Sequence, residues 1–184
     1  MSENDHSIIQ RVKGGDKQAY AVLVDRYKDR VFSLVLSIVH SRETAGELAQ
    51  DTFVKAFKSL HQFREEASFA TWIYRIAYNT AISETRKRKI NLVNLDEKMA
   101  QQLSASDDEE DTQAEALLRL KRAVSVLNPE EQAMIRLYYH EDKSVEEVSL
   151  CLNLSVANVK VKLFRLRAKL KNMMEEYANS AVVV

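Results

Sequence analysis

Residues that could act on another molecule gather in one stretch, Phe63 to Lys89, reading FREEASFATWIYRIAYNTAISETRKRK. Seven of the chain's fourteen aromatics (Phe53, Phe57, Phe63, Phe69, Trp72, Tyr74 and Tyr78) fall between positions 53 and 78. The stretch ends in Arg86, Lys87, Arg88 and Lys89. Rings beside cations suit single-stranded nucleic acid, whose unpaired bases stack on aromatic faces for about 1–3 kcal/mol each while Lys and Arg follow the phosphates. Most aromatics at helical spacing belong to a core, and Phe53, Phe57, Trp72 and Tyr74 are expected there. Phe63 and Phe69 instead bracket a short polar loop, and Tyr78 and Asn79 lie off the apolar stripe.

Bond-making chemistry finds little support. His6, His40, His61 and His140 are scattered, no HExxH or Cys/His ligand set occurs, and phosphate-cradling glycine loops are missing. The lone Cys151 lies on the apolar side of a short helical pattern and reads as an inert core thiol. No enzyme, metal, cofactor or small-molecule substrate is expected.

The elements that must position these residues read as helices throughout. The chain has 184 residues, 46% of them hydrophobic, with three Gly and one Pro, and strands are signalled nowhere. Formal net charge is zero, but the sign is segregated: cations cluster at 86–89 and 160–171, and acids at 107–111. Local field rather than total charge selects the partner. One cysteine, no signal sequence and no run of eighteen apolar residues imply a cytoplasmic protein.

In chain order, Ser2 to Val12 reads as a polar lead-in. Asp16 caps a helix from near Lys17 carrying Ala19, Leu23 and Tyr27, and VFSLVLSIV at 31–39 is enclosed on all sides. Ser41 opens a helix whose buried stripe is Ala45, Leu48, Ala49, Thr52, Phe53, Ala56, Phe57 and Leu60, with Glu47, Gln50, Asp51, Val54 and Lys58 opposite. Residues 91–113 lack an apolar period and carry Asp107 to Asp111, the mark of a flexible acidic linker. Extended, such a linker reaches about 75 Å. Two small helical domains, 1–90 and 114–184, are expected on either side.

The second domain is clearly punctuated. Asn128-Pro129-Glu130-Glu131 and Ser144-Val145-Glu146-Glu147 are helix starts, and Ser155 caps the last helix. Ser144 to Leu152, a turn, then Val156 to Met174 matches a helix-turn-helix. In the final helix Val156, Val159, Leu163, Leu166, Leu170 and Met173 form the buried seam. The opposite side then carries Ala157, Asn158, Val161, Phe164, Arg165 and Ala168, between rails of Lys160, Arg167 and Lys171 and of Lys162 and Lys169. A solvated face would not carry Val and Phe, whereas a helix in a major groove would. Asn158 and Arg165 would meet base edges, Val161 and Phe164 a thymine methyl, and the rails phosphates. Four phosphate contacts, from Lys160, Lys162, Arg167 and Lys169, would give a log-log salt slope near about −3.6.

FREEASFATWIYRIAYNTA closely resembles the promoter-melting segment of extracytoplasmic-function sigma factors, a group of the sigma-70 family. AGELAQDTFVKAF resembles the helix with which such factors dock on the clamp coiled coil of RNA polymerase. The stretch from Leu127 to Leu170 resembles their C-terminal domain, which reads the upstream promoter element and binds the polymerase flap. The resemblance covers about residues 17–90 and 114–174, and implies an all-α fold of sigma region 2 and sigma region 4. It further implies a promoter-directing factor of core RNA polymerase, controlled by an anti-sigma factor that is often membrane-anchored. Glu47, Gln50 and Asp51 would anchor the polymerase. Phe63, Ser68, Phe69, Arg75, Tyr78, Asn79, Arg86 and Arg88 would hold the minus-10 element; Asn158, Lys160, Val161, Lys162, Phe164, Arg165 and Lys169 would read the minus-35 element. The competing reading is a decoy that occupies an anti-sigma factor without binding promoters. Gly46 stands where the group usually has an acidic residue.

Overall fold

In a computed structural model the described residues are 4–93 and 112–180, all helix, turn or loop, with no strand among them. The acidic run at 107–111 and the apolar tail Ala181 to Val184 lie outside the described residues. The helices are α1 (Asp5–Lys13), α2 (Tyr20–Val39), α3 (Arg42–Ser59), α4 (Phe69–Val93), α5 (Thr112–Ser125), α6 (Pro129–Ile135), α7 (Val145–Leu152) and α8 (Val156–Ser180).

Their starts follow local chemistry. Ser41 accepts from the Thr44 N–H, Asn128 and Ser144 each complete a capping box with Glu131 and Glu147, and Pro129 occupies the first turn of α6. Val31, Leu34, Val35 and Ile38 are buried, and Phe32, Leu36 and Val39 pack against the same core, so this half of α2 is enclosed as its composition demands. Gly46 breaks the pattern inside α3 for no steric reason, since a Cβ there would meet nothing within 4 Å. Gly46→Ala should therefore stabilise the chain by up to about 1 kcal/mol, read as a higher unfolding midpoint in urea at unchanged slope.

The expected polar lead-in is in fact α1. Ile8 and Ile9 are both fully enclosed, Asn4 caps the helix, and the carboxylate of Asp5 takes the Tyr27 hydroxyl and pairs with Arg26 on α2. Ile8 and Ile9 are adjacent, so they show no helical period in the sequence, yet together they fasten α1 to α2.

Helices α2, α3 and α4 pack on one another, and α5 and α8 form a second pair. The two sets of helices also touch each other. Helix α7 packs along α4, α6 lies against α2, and one apolar cluster runs from Ile73, Tyr74 and Ala77 into Ala133, Leu137, Val148, Cys151 and Leu152. Polar groups complete the contact. The Tyr74 hydroxyl donates to Glu141 at 2.7 Å, the Thr71 hydroxyl to Glu147 at 2.8 Å, and the Cys151 thiol to the Thr71 carbonyl at 3.4 Å.

His40 ends α2 in the left-handed region (φ 57°), and its Nε2 accepts from the Gln132 side chain on α6 at 3.0 Å. Burial pushes its pKa below the ordinary imidazole value. As the pH falls below the unfolded value of about 6.5, the unfolded chain binds a proton that the folded chain resists, so stability is lost toward acid. The melting temperature should fall between pH 7.5 and 5.5. His40→Asn, which tolerates the left-handed conformation, should flatten that part of the profile.

Candidate nucleic-acid and polymerase interfaces

Helix α8 places its seam as its spacing requires. Val159, Leu163 and Leu166 are buried, whereas Ala157, Asn158, Lys160, Arg165, Ala168 and Lys169 are exposed, with Val161 and Phe164 at 45% and 72% exposure. Ser155 caps the helix by accepting the Asn158 N–H, and Asn153, in the left-handed region, ends α7 and sets the three-residue turn. Phe164 thus stands out from the protein beside cations, on a helix whose opposite side is sealed.

Its cationic rails are more engaged than the sequence implies. Lys162 pairs with Glu130 at 2.7 Å and Lys169 with Glu131 at 2.8 Å, both acids lying in the first turn of α6. Arg167 lies over the rings of Tyr138 and Tyr139, and its Nε donates to the Tyr139 hydroxyl at 2.6 Å. Neither Lys160 nor Arg165 forms an ion pair within the described residues. A lysine already neutralised by a carboxylate displaces fewer counterions from the DNA phosphates, so the four-contact salt slope shrinks toward about −1.8, two contacts' worth.

The loop before α4 is built by α1. Glu65, itself left-handed at φ 61°, accepts from His6 and from Gln10 at 2.9 Å, and Lys13 donates to the Phe63 carbonyl at 2.8 Å. The His6 ring, before other neighbours, holds the Glu65 carboxyl below its usual range. Sequence reasoning missed these anchors, which sit 50 to 59 residues before the groups they hold. The loop they hold and α4 outline a cleft of about 360 Å³ lined by Phe63, Arg64, Thr71, Trp72, Arg75 and, from the other module, Leu150.

The residues expected at the minus-10 element divide accordingly. Phe63 and Arg75 line the cleft. Ser68 is exposed but caps α4, its Oγ accepting the Thr71 N–H at 3.2 Å. Phe69 is buried, stacked among Tyr27, Phe63 and Trp72, and Tyr78 is buried as well. Tyr78 lies off the stripe facing its own module and is nonetheless buried, within electrostatic reach of Glu130 on α6, so exposure could not be read from the α4 pattern alone. Asn79 and Arg86 are exposed; Arg88 is tied to Thr44 at 2.6 Å and to Glu84 at 3.2 Å.

On α3, Glu47, Gln50 and Asp51 are exposed side by side with Val54. Phe57, expected in the buried stripe, is 36% exposed and rests its ring on Tyr20 at 4.9 Å. The outer face of α3 is thus polar with an apolar margin of Val54 and Phe57. Cys151 is enclosed as expected, and burial pushes its thiol up to about 12.

These features define a helical protein with a helix-turn-helix whose last helix keeps one face open. Comparison with known proteins is specific: Sigma-70 region 2 matches residues 23–90 and Sigma-70, region 4 matches residues 117–170. The ECF RNA polymerase sigma-E factor of Haemophilus influenzae is 30% identical, with 93% of this chain and 95% of that protein covered. The RNA polymerase sigma-H factor of Pseudomonas aeruginosa is 26% identical, covering 97% and 98%. Among solved structures, CnrH in complex with the cytosolic domain of CnrY aligns with a TM-score of 0.67 at 22% identity, over 94% of this chain and 97% of that one. The sigma factor RpoE of Bartonella quintana, in complex with the anti-sigma factor NepR, aligns with a TM-score of 0.70 at 18% identity, over 85% and 96%. The chain belongs to the extracytoplasmic-function group of the sigma-70 family.

Proposed function

We propose that this chain binds core RNA polymerase and directs it to promoters, with no chemistry of its own. The observation that carries the reading is the open face of α8, where Val161, Phe164 and Arg165 point away from the protein. Residues 1–90 form the module that melts and holds the minus-10 element, using the cleft at Phe63 and Arg75 with Asn79 and Arg86 beside it. Residues 114–184 form the module that reads the minus-35 element, and 91–113 join them. Glu47, Gln50 and Asp51 meet the polymerase clamp, with Val54 and Phe57 packing alongside. Extruding a base costs a few kcal/mol, about what one or two stacking contacts return, so melting needs no nucleotide hydrolysis. An anti-sigma factor is the proposed regulator, supported by fold-level likeness to the sigma factor RpoE of Bartonella quintana, solved in complex with the anti-sigma factor NepR. The site of action is the cytoplasm, consistent with the finding that no described helix is long and apolar enough to cross a membrane.

Transcription with purified core polymerase tests the reading. Wild-type chain yields promoter-dependent transcripts, and a Glu47→Lys, Asp51→Lys variant loses core binding in a pull-down at unchanged helicity. A chain that binds core yet yields no transcript is the decoy instead. The ion pairs on α8 add a quantitative test: Glu130→Gln with Glu131→Gln frees two lysines, so DNA affinity should rise and the salt slope steepen by about 2 units. Gln at position 131 still completes the capping box.

A further inference from the structure

The short link between α6 and α7 carries two adjacent tyrosines that neither promoter module has yet employed. Arg136–His140 form a single π turn, closed by the Glu141 N–H on the Arg136 carbonyl at 3.1 Å. Such turns are rare and concentrate at functional sites. Neighbouring side chains of an α-helix do not face each other, yet here the rings of Tyr138 and Tyr139 meet edge to face with centroids 4.9 Å apart.

Both rings serve one guanidinium. The Cζ of Arg167 on α8 lies 5.7 Å from the ring centroid of Tyr138 and 5.8 Å from that of Tyr139, and its Nε donates to the Tyr139 hydroxyl at 2.6 Å. Stacking and a hydrogen bond together restrain a long side chain that would otherwise sample many rotamers. They do so without cancelling its charge. On the opposite margin of α8, Lys162 and Lys169 are met by the carboxylates of Glu130 and Glu131, whereas Arg167 rests on neutral phenols. Tyr138 packs against the core and acts as backing, while Tyr139 is 48% exposed and Arg167 is exposed beside it.

Hydrogen-bond bookkeeping says what the pair can bind. A guanidinium carries five N–H donors, and a single one is committed to Tyr139. A phenol that accepts a hydrogen bond keeps its own O–H to donate. One exposed place thus offers N–H donors, an O–H donor and a full positive charge, the recognition chemistry of a phosphodiester. Lys160 lies seven residues earlier on the same margin of α8, about 10.5 Å along its axis.

We propose that Tyr139 and Arg167 form a composite site for a backbone phosphate of duplex DNA. The Tyr139 hydroxyl positions the arginine and donates to the same phosphate, so α8 grips the duplex from the margin of Lys160 and Arg167. This deepens the promoter-directing reading and rests on it for the promoter as the duplex bound.

Phosphate contacts carry no sequence information, so full-length chain is titrated by fluorescence anisotropy against a labelled mixed-sequence duplex of about 40 base pairs, between about 50 and 200 mM salt. Arg167→Ala should weaken binding and flatten the salt slope by about 0.9, one contact's worth. Tyr139→Glu still holds the arginine but cancels its charge, so it should flatten the slope equally, and its affinity deficit should narrow about threefold across that salt range. Tyr139→Phe keeps ring and charge but not the hydroxyl; it should weaken binding about two- to tenfold, the worth of one hydrogen bond, and by less once Arg167 is already Ala. A purely structural tyrosine would lower the melting temperature and leave the slope alone. The parent slope retained in folded Tyr139→Glu overturns the site, as does a parent chain without affinity for the duplex; if the parent still makes promoter-dependent transcripts with core, the promoter reading stands. Should Tyr139→Glu melt below the assay temperature, the parent slope in Arg167→Ala or the parent affinity in Tyr139→Phe overturns the site. Flattened slopes in both charge variants, with no transcript from parent and core, uphold the phosphate site and remove the promoter reading.

Discussion

Replacing Phe164 and Arg165 together with Ala lowers transcription from a promoter that depends on its minus-35 element by about 10- to 100-fold. A well-placed pair of base contacts is worth about 1–3 kcal/mol, and each about 1.4 kcal/mol is tenfold. Both side chains are exposed and outside the seam formed by Val159, Leu163 and Leu166, so circular dichroism and melting temperature should stay at the parent values. Core binding through α3 should be untouched. Val126→Ala, equally exposed but before α6 and off this face, should leave transcription within about twofold, as surface changes away from a site usually do. The measurement is single-round transcription on the full promoter and on one with the upstream element scrambled; the double variant should no longer distinguish them.

Ile8→Ala should destabilise the chain by about 2–5 kcal/mol. The side chain is fully enclosed between α1 and α2, and its loss leaves a cavity that neighbouring helices cannot collapse into without moving the Asp5 contacts to Arg26 and Tyr27. At about 2–4 °C per kcal/mol for a chain of this size, the melting temperature should drop by roughly 4–20 °C. Because α1 also carries His6, Gln10 and Lys13, which hold Glu65 and Phe63, promoter opening should suffer more than core binding. Permanganate footprinting of unpaired thymines at a temperature where the variant is folded separates the two effects.

What the sequence made legible is what short-range chemistry decides. Ser41, Asn128, Ser144 and Ser155 cap helices with partners three residues on, so their roles are visible in a four-residue window. The seam of α8 follows from 3.6-residue geometry alone, and its exposed face follows with it. Longer-range facts were hidden. Ile8 and Ile9 carry no period, and their burial depends on α2. Glu130 and Glu131 look like first-turn acids complementing the helix dipole, and nothing along the chain announces that they reach lysines on α8 more than thirty residues away. Thr71 looks available on α4 until α7 is set against it, and that packing is encoded in surface shape rather than in local pattern.

The central claim is that α8 presents its face to a promoter while the loop before α4 holds the melted strand. Transcription of sheared genomic DNA by core polymerase plus this chain, with sequencing of transcript 5′ ends, tests it most directly. The account expects a discrete set of start sites, absent with core alone, sharing two upstream elements about 25 base pairs apart, the more distant of which loses its sequence preference in the Arg165→Ala variant. Start sites indistinguishable from those of core alone, or a shared upstream element read equally well by Arg165→Ala and parent, would contradict it.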